Sequence, residues 1–171
     1  LATGVLPLCL GEATKVSQFL LDSDKAYRAR IKLGERTDTA DSEGEVIAKV
    51  EGFTIDEAAV KAALRGFEGE IEQVPPMYSA LKQDGQPLYK LARQGKTVER
   101  KARAITIYSI ELTDFDADAN EIEIEVDCSK GTYIRTIADD LGQILGCGGH
   151  IIALRRLRAG VFSIEDSVTL E

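Results

Sequence analysis

Tryptophan is absent from the 171 residues, histidine and methionine occur once each, and cysteine occurs three times. The single histidine, His150, stands beside glycines and an apolar stretch, and no serine lies in a nucleophile-elbow motif, so Ser-His-Asp chemistry is unsupported. Cys9, Cys128 and Cys147 form no C-x-x-C pair. An odd, scattered set argues for a reducing compartment, here the cytoplasm, and against a disulfide framework or a structural zinc site. Small buried hydrophobes are the simpler reading of all three. No apolar run approaches the roughly 20 residues of a membrane-spanning helix, so no membrane partner is expected. No glycine-rich loop matches a dinucleotide or P-loop frame, since Gly146-Cys147-Gly148-Gly149 lacks the required spacing. Repeats and low-complexity segments are also missing.

What is present is enough for one domain with a core, at 44% hydrophobic residues. A net charge of −8 points away from nucleic acid when only the sum is considered. The distribution says more. Between Lys82 and Arg103 stand Lys90, Arg93, Lys96, Arg100 and Lys101, against only Asp84 and Glu99. Arg155, Arg156 and Arg158 form a second basic cluster. The acids gather at Asp38 to Glu45, Glu68 to Glu72 and Asp114 to Asp127. A local basic patch on an acidic body can hold phosphates, because screening confines each field to roughly 8–10 Å. Taken alone, such charge runs favour an ordinary solvated face.

Periodicity sorts the chain into elements. Glu12 to Leu21 reads as a helix with Val16, Phe19 and Leu20 on one face. Lys25 to Leu33 alternates as a strand, with Tyr27, Ala29, Ile31 and Leu33 sharing a side. Gly34 to Gly44 is polar and reads as a loop, and Glu45 to Val50 as a short strand. Thr54 and Glu57 form a capping box for a helix to about Leu64 or Arg65. Glu70 to Val74 reads as a strand halted by Pro75 and Pro76. The residues from Met77 to Val98 form an excursion with a short helix near Leu88 to Arg93. Ala104 to Phe115 and Glu121 to Cys128 pair antiparallel, and the clean alternation of the second implies a sheet covered on one side. Thr132 to Leu145 is a helix burying Ile134, Ile137, Ala138 and Leu141, and His150 to Leu157 is a last strand. Without a regular βαβ rhythm, the class is α+β with a largely antiparallel sheet.

Several residues could carry chemistry. Arg135 falls in the first turn of its helix, where a cation opposes the dipole and needs an offset. The partner is either Asp139, four residues on, or a carboxylate brought from elsewhere. Tyr27 on the apolar side of its strand is either core packing or a stacking platform for an unpaired base. Asp38 and Asp41 look more like a turn with Asx-type hydrogen bonds than a tuned catalytic pair, and a carboxylate hydrolase remains the weakest of the enzymatic readings.

Six motifs occur in an order that resembles the TruB family of tRNA pseudouridine-55 synthases. They are Leu1 to Lys15 (Leu-Ala-Thr-Gly-Val-Leu-Pro through Gly-Glu-Ala-Thr-Lys), Asp24-Lys25-Ala26-Tyr27, Arg36-Thr37-Asp38-Thr39, Pro76 to Lys82, Lys130 to Arg135, and Leu154-Arg155-Arg156-Leu157. The resemblance spans essentially the whole chain. It implies the pseudouridine-synthase fold, a mixed and mostly antiparallel sheet flanked by helices, and isomerisation of a T-arm uridine in tRNA without metal or organic cofactor. The glycosidic bond breaks, the base turns, and C5 is joined instead of N1. By resemblance Tyr27 stacks on the extruded base, Leu154 forms part of an apolar wall, and Arg135 pairs with a catalytic aspartate. That aspartate belongs to an Asp-Pro pair placed directly before Leu1, so the nucleophile is expected to lie upstream of this chain and the chain alone to be inactive. Met77 as the only methionine fits a chain cut there. The resemblance further implies a catalytic domain over 1–171, a thumb-like RNA-binding insertion at about 75–103, and no separate C-terminal RNA-binding domain. RNA contacts would come from Lys82, Lys90, Arg93, Lys96, Arg100, Lys101, Arg103, Lys130, Tyr133 and Arg155, in a monomer. The rival class is a non-catalytic RNA-binding module using the same basic excursion.

Overall fold

The computed structural model describes residues 1–170. The elements in order are β1 (Ala2–Gly4), a 3-10 turn (Gly11–Val16) continuing into α1 (Ser17–Leu21), β2 (Lys25–Leu33), β3 (Glu35–Thr37), β4 (Val46–Lys49), α2 (Glu57–Arg65) and β5 (Gly69–Gln73). There follow β6 (Lys82–Gln83), β7 (Gln86–Pro87), α3 (Leu88–Arg93), β8 (Arg103–Asp116), β9 (Glu121–Cys128), α4 (Ile134–Ile144), β10 (Gly149–Ala159) and β11 (Phe162–Ser163). A seven-stranded sheet runs β1-β10-β2-β9-β8-β5, with β11 paired to β10. Only the β1–β10 pairing is parallel; the rest are antiparallel, so the fold is mixed α/β with a mostly antiparallel sheet.

The alternating strands explain why one face is covered. Across β2 and β9, Ile31 lies opposite Ile122, Ala29 opposite Ile124, and Tyr27 opposite Val126, so apolar rows run from strand to strand. Ile31, Ala29, Ile122 and Ile124 are fully buried. Against that face pack α4, through Ile134, Ile137, Ala138 and Leu141, and α2, through Val60 and Leu64. The opposite face is wet and carries a cross-strand charge ladder. Arg28 meets Glu125 at 2.7 Å, and Arg30 meets Glu121 at 2.7 Å and Asp114 at 2.9 Å. Acids of β8 and β9 are thus paired across strands on the side remote from the helices.

Three expectations need correction. Val16 and Phe19 are 49% and 77% exposed, because no element of the described residues covers that side of α1, whose first turn is 3-10 rather than α. The polar stretch after Gly34 is not all loop: β3 pairs with β4, and this satisfies backbone groups that the composition left unassigned. The cap of α2 is Asp56, whose carboxylate accepts from the Ala58 N–H at 3.1 Å, so the helix starts beyond reach of Thr54. The basic excursion leaves the sheet after β5 and returns at β8. It holds the β6–β7 hairpin and α3, anchored by the fully buried Leu88. No helix of the described residues is long and apolar enough to cross a membrane.

The end of α4 leaves no room against the start of β10. A Cβ on Gly142 would lie 2.2 Å from the Gly148 carbonyl carbon and the Gly149 nitrogen, both main chain. Gly→Ala inside a helix ordinarily stabilises by roughly 0.5–1 kcal/mol. Here Gly142→Ala is expected to destabilise by about 1–3 kcal/mol, the scale of overpacking. A urea midpoint at or above the unaltered chain's would contradict this close approach.

Candidate active site

A cleft of about 680 Å³ opens where the excursion meets the sheet. Its wall includes Thr39, Asp41, Tyr133, Arg135 and Leu154 from the body, Tyr78, Tyr89 and Arg93 from the excursion, and Leu1 at the chain start. Arg135 reaches it because α4 begins directly after the Gly131 turn, where φ is +75°. The helix start is clamped by a residue that periodicity assigned no role. Gln73, at the end of β5 and 4% exposed, accepts from the Tyr133 N–H at 2.9 Å and donates to the Tyr133 carbonyl at 3.2 Å.

Arg135 is held by main chain and by a buried acid. One Nη donates to the Thr39 carbonyl at 3.1 Å, the other to the Tyr78 carbonyl, and Asp41 Oδ2 lies 3.9 Å away. Asp41 is 6% exposed. Its Oδ1 accepts from Thr39 Oγ1 at 2.6 Å and from the Glu43 N–H at 3.0 Å, and the Asp41 carbonyl accepts from Thr37 Oγ1 at 2.7 Å. The turn is stitched to β10 by Ile151 N–H to Ala40 O at 3.0 Å and Ser42 N–H to Ile151 O at 2.8 Å. The Asx pattern is thus present, and the turn also carries a buried charge to the guanidinium, a role no local signal could reveal. Asp139 is not the partner of Arg135. It is taken by Arg36, through Nε at 2.8 Å and Nη2 at 3.1 Å, and by Gln143 at 2.9 Å. The fork of Arg36 on β3 matches a carboxylate in two bonds, an arrangement stronger than a solvated i,i+4 contact.

Leu154 faces the cleft, opposite Ala29 on one side and Ala2 on the other. Tyr27 lies on the same sheet face one row along, between Arg156 and Val126, and packs half-buried against the core. It is not part of the cleft wall. Burial raises its phenol above the ordinary value, partly offset by the neighbouring Arg156 guanidinium. Lys82, Lys90, Arg93, Lys96, Lys101 and Arg103 are exposed along the excursion and its return. Arg100 instead turns inward, donating to the Pro75 carbonyl at 3.2 Å and closing the root of the excursion. Lys130 is paired with Asp22 at 2.9 Å, Tyr133 lines the cleft, and Arg155 is exposed on β10, between Thr3 of β1 and Arg28 of β2.

Two family models cover the chain end to end. The one described as TruB family pseudouridylate synthase (N terminal domain) matches residues 1–134, and the one described as tRNA pseudouridylate synthase B C-terminal domain matches residues 135–171. The boundary falls inside α4, yet β10 beyond it lies between β1 and β2 in the one sheet. Curated relatives named tRNA pseudouridine synthase B include those of Pseudomonas fluorescens and Cupriavidus metallidurans, each 58% identical over 171 residues, and of Yersinia pestis at 57%. All of this chain is covered in each case, against 55%, 54% and 52% of the relatives, so the chain spans about half their length. Among solved structures, a chain of a Cbf5-Nop10-Gar1 complex superposes with a TM-score of 0.72 at 31% identity, over 99% of this chain and 40% of that one. A chain from an H/ACA RNP bound to a substrate RNA containing 2'-deoxyuridine matches at 0.63 and 26%, over 95% and 36%.

Beneath Tyr27, Cys128 is buried with its Sγ 3.6 Å from the Lys25 carbonyl, and burial pushes its thiol up to about 11. The folded chain should therefore leave Cys128 unalkylated by iodoacetamide at pH 8, while denaturant exposes it; native labelling located by peptide mass would contradict this environment. The sign for stability follows from linkage. An unfolded thiol ionises near 9 while the folded one stays protonated to about 11, so this group weakens the fold as pH rises through that window.

Proposed function

This chain belongs to the TruB family of pseudouridylate synthases, and from that premise we propose that it supplies most of the active site of a tRNA pseudouridine synthase acting on the T-arm uridine, U55, in the cytoplasm. The target base is stacked inside its loop and must be extruded into a pocket before its glycosidic bond can be reached. In this reading the base enters the cleft beside Arg135. Leu154 excludes water from one side of it, and the ring of Tyr27 moves against its face. The N1–C1′ bond breaks, the base turns, and C5 bonds to C1′; the C5 proton is lost and N1 gains one, so the product is an isomer. The exposed lysines and arginines of the excursion neutralise backbone phosphates, and specificity comes from the shape of the T-arm.

The observation that carries the proposal is Arg135. Two of its donors are spent on carbonyls, its buried acid stands 3.9 Å off, and further N–H groups remain for an anion in the cleft. A catalytic aspartate in the Asp-Pro pair that the family places before Leu1 would start within two residues of the cleft wall, a span of about 7 Å. An arginine there keeps that carboxylate ionised and oriented. Asp41 then serves as a positioning residue, holding the guanidinium from behind.

Two measurements test this. The isolated 171-residue chain should form no pseudouridine in unmodified tRNA, because the nucleophile is assigned to the family's Asp-Pro pair and Asp41, the buried acid of the cleft wall, is engaged by Thr39, the Glu43 N–H and Arg135; turnover by it would overturn the assignment. In the full-length enzyme, Arg135→Ala should lower the single-turnover rate by about 100-fold or more, the scale of losing a preorganised electrostatic partner. Binding of a T-arm stem-loop should change little. A variant that loses binding while its rate at saturating RNA is preserved would favour a non-catalytic role for the site.

A further inference from the structure

The cleft is larger than one pyrimidine needs; sites of roughly 300–1,000 Å³ bury a whole drug-sized ligand. Its outer wall is built by α3, one turn of which places Tyr89 and Arg93 on the same side. The Arg93 guanidinium sits over the Tyr89 ring, 5.3 Å from its centroid, within cation–π range. Tyr89 is half-buried and Arg93 is exposed, so the ring sits beneath a guanidinium that remains accessible on the cleft wall.

This ledge is fixed relative to the site. The Tyr89 N–H donates to the Ser79 carbonyl at 3.0 Å, and the Leu88 N–H donates to the Leu81 carbonyl at 2.8 Å. The residue before Ser79 is Tyr78, whose carbonyl accepts from Arg135. Adjacent residues of one turn therefore hold both the ledge and the arginine of the reaction site. A planar cation backed by an aromatic ring is a surface on which any unpaired base stacks.

We propose that the Tyr89–Arg93 ledge is a second nucleotide subsite. It takes an unpaired base flanking the target uridine, which stacks on the guanidinium of Arg93 while Tyr89 holds that guanidinium in plane. This assignment rests on the function proposed above and adds to it a base contact at the outer end of the cleft. Arg93 is then a stacking surface, and Tyr89 is a positioning residue.

The test is a cycle between protein and RNA variants in the full-length enzyme. T-arm stem-loops carry an abasic nucleotide at each unpaired position flanking the target uridine. The unaltered enzyme should bind the intact RNA more tightly than one of these abasic RNAs by about fivefold or more, the low end of one stacked base. Arg93→Lys keeps the charge but removes the plane. It should abolish that preference while the salt dependence of binding is unchanged. Tyr89→Phe keeps the ring and should retain the preference. A full preference in Arg93→Lys would reduce Arg93 to a phosphate contact and overturn the subsite; so would its loss in Tyr89→Phe. If the unaltered enzyme isomerises the hairpin but distinguishes none of the abasic RNAs, the ledge is wrong and the function stands. If it neither binds nor isomerises the hairpin, both fall.

Discussion

The guanidinium of Arg135 is where three separate parts of the chain are tied together. It comes from the first turn of α4, and its bonds end on the Thr39 turn and on Tyr78 at the root of the excursion, with buried Asp41 behind. A cation at a helix start is unfavourable for that helix in isolation. Carbonyl oxygens and a carboxylate offset the charge, and in doing so they set how the excursion sits relative to the sheet. The geometry of the cleft follows from that knot: α4 supplies Arg135 and Tyr133, the turn supplies Thr39 and Asp41, and the excursion supplies the opposite wall. Gln73 supports the same point from β5 by bonding both main-chain groups of Tyr133.

The charge distribution makes sense on this frame. The outer sheet face is a ladder of Arg–Glu and Arg–Asp pairs, and Arg158 with Asp127 continues it. Those acids are largely neutralised by their arginines and line the face away from the cleft. The exposed cations of the excursion lie on a separate protrusion, and screening beyond a Debye length keeps the two fields largely independent. An acidic chain can in this way present a basic grip.

Much of the architecture was legible from side-chain period. The alternation of Ile122, Ile124, Val126 and Cys128 located β9 and its covered face, and the stripe of Ile134, Ile137, Ala138 and Leu141 located α4, because burial of one face needs no more than a regular repeat. The short helix at Leu88 to Arg93 was legible from its flanking breakers. The β3 strand is not legible in this way, since its pairing with β4 is carried by main-chain bonds to which polar side chains give no clue. The Asx pattern at Asp41 marks a turn residue, but its burial against Arg135 depends on contacts far along the chain.

Sequence alone settled the long elements β2, β8, β9, α2 and α4 with the apolar faces of β9 and α4, and the order of motifs that marks the family, because each of these is local. The partners of Arg135 were decided only by the tertiary structure, since Thr39 and Tyr78 lie 96 and 57 residues away. So was the direction in which Leu154 points. Strict alternation would set Leu154 on the side opposite Ile151, but a bulge between Ile151 and Ala153 inserts one residue and shifts the phase of β10. Leu154 therefore shares a face with Ala29 and reaches the cleft. A bulge is a property of two strands in register, and no period read along one of them contains it.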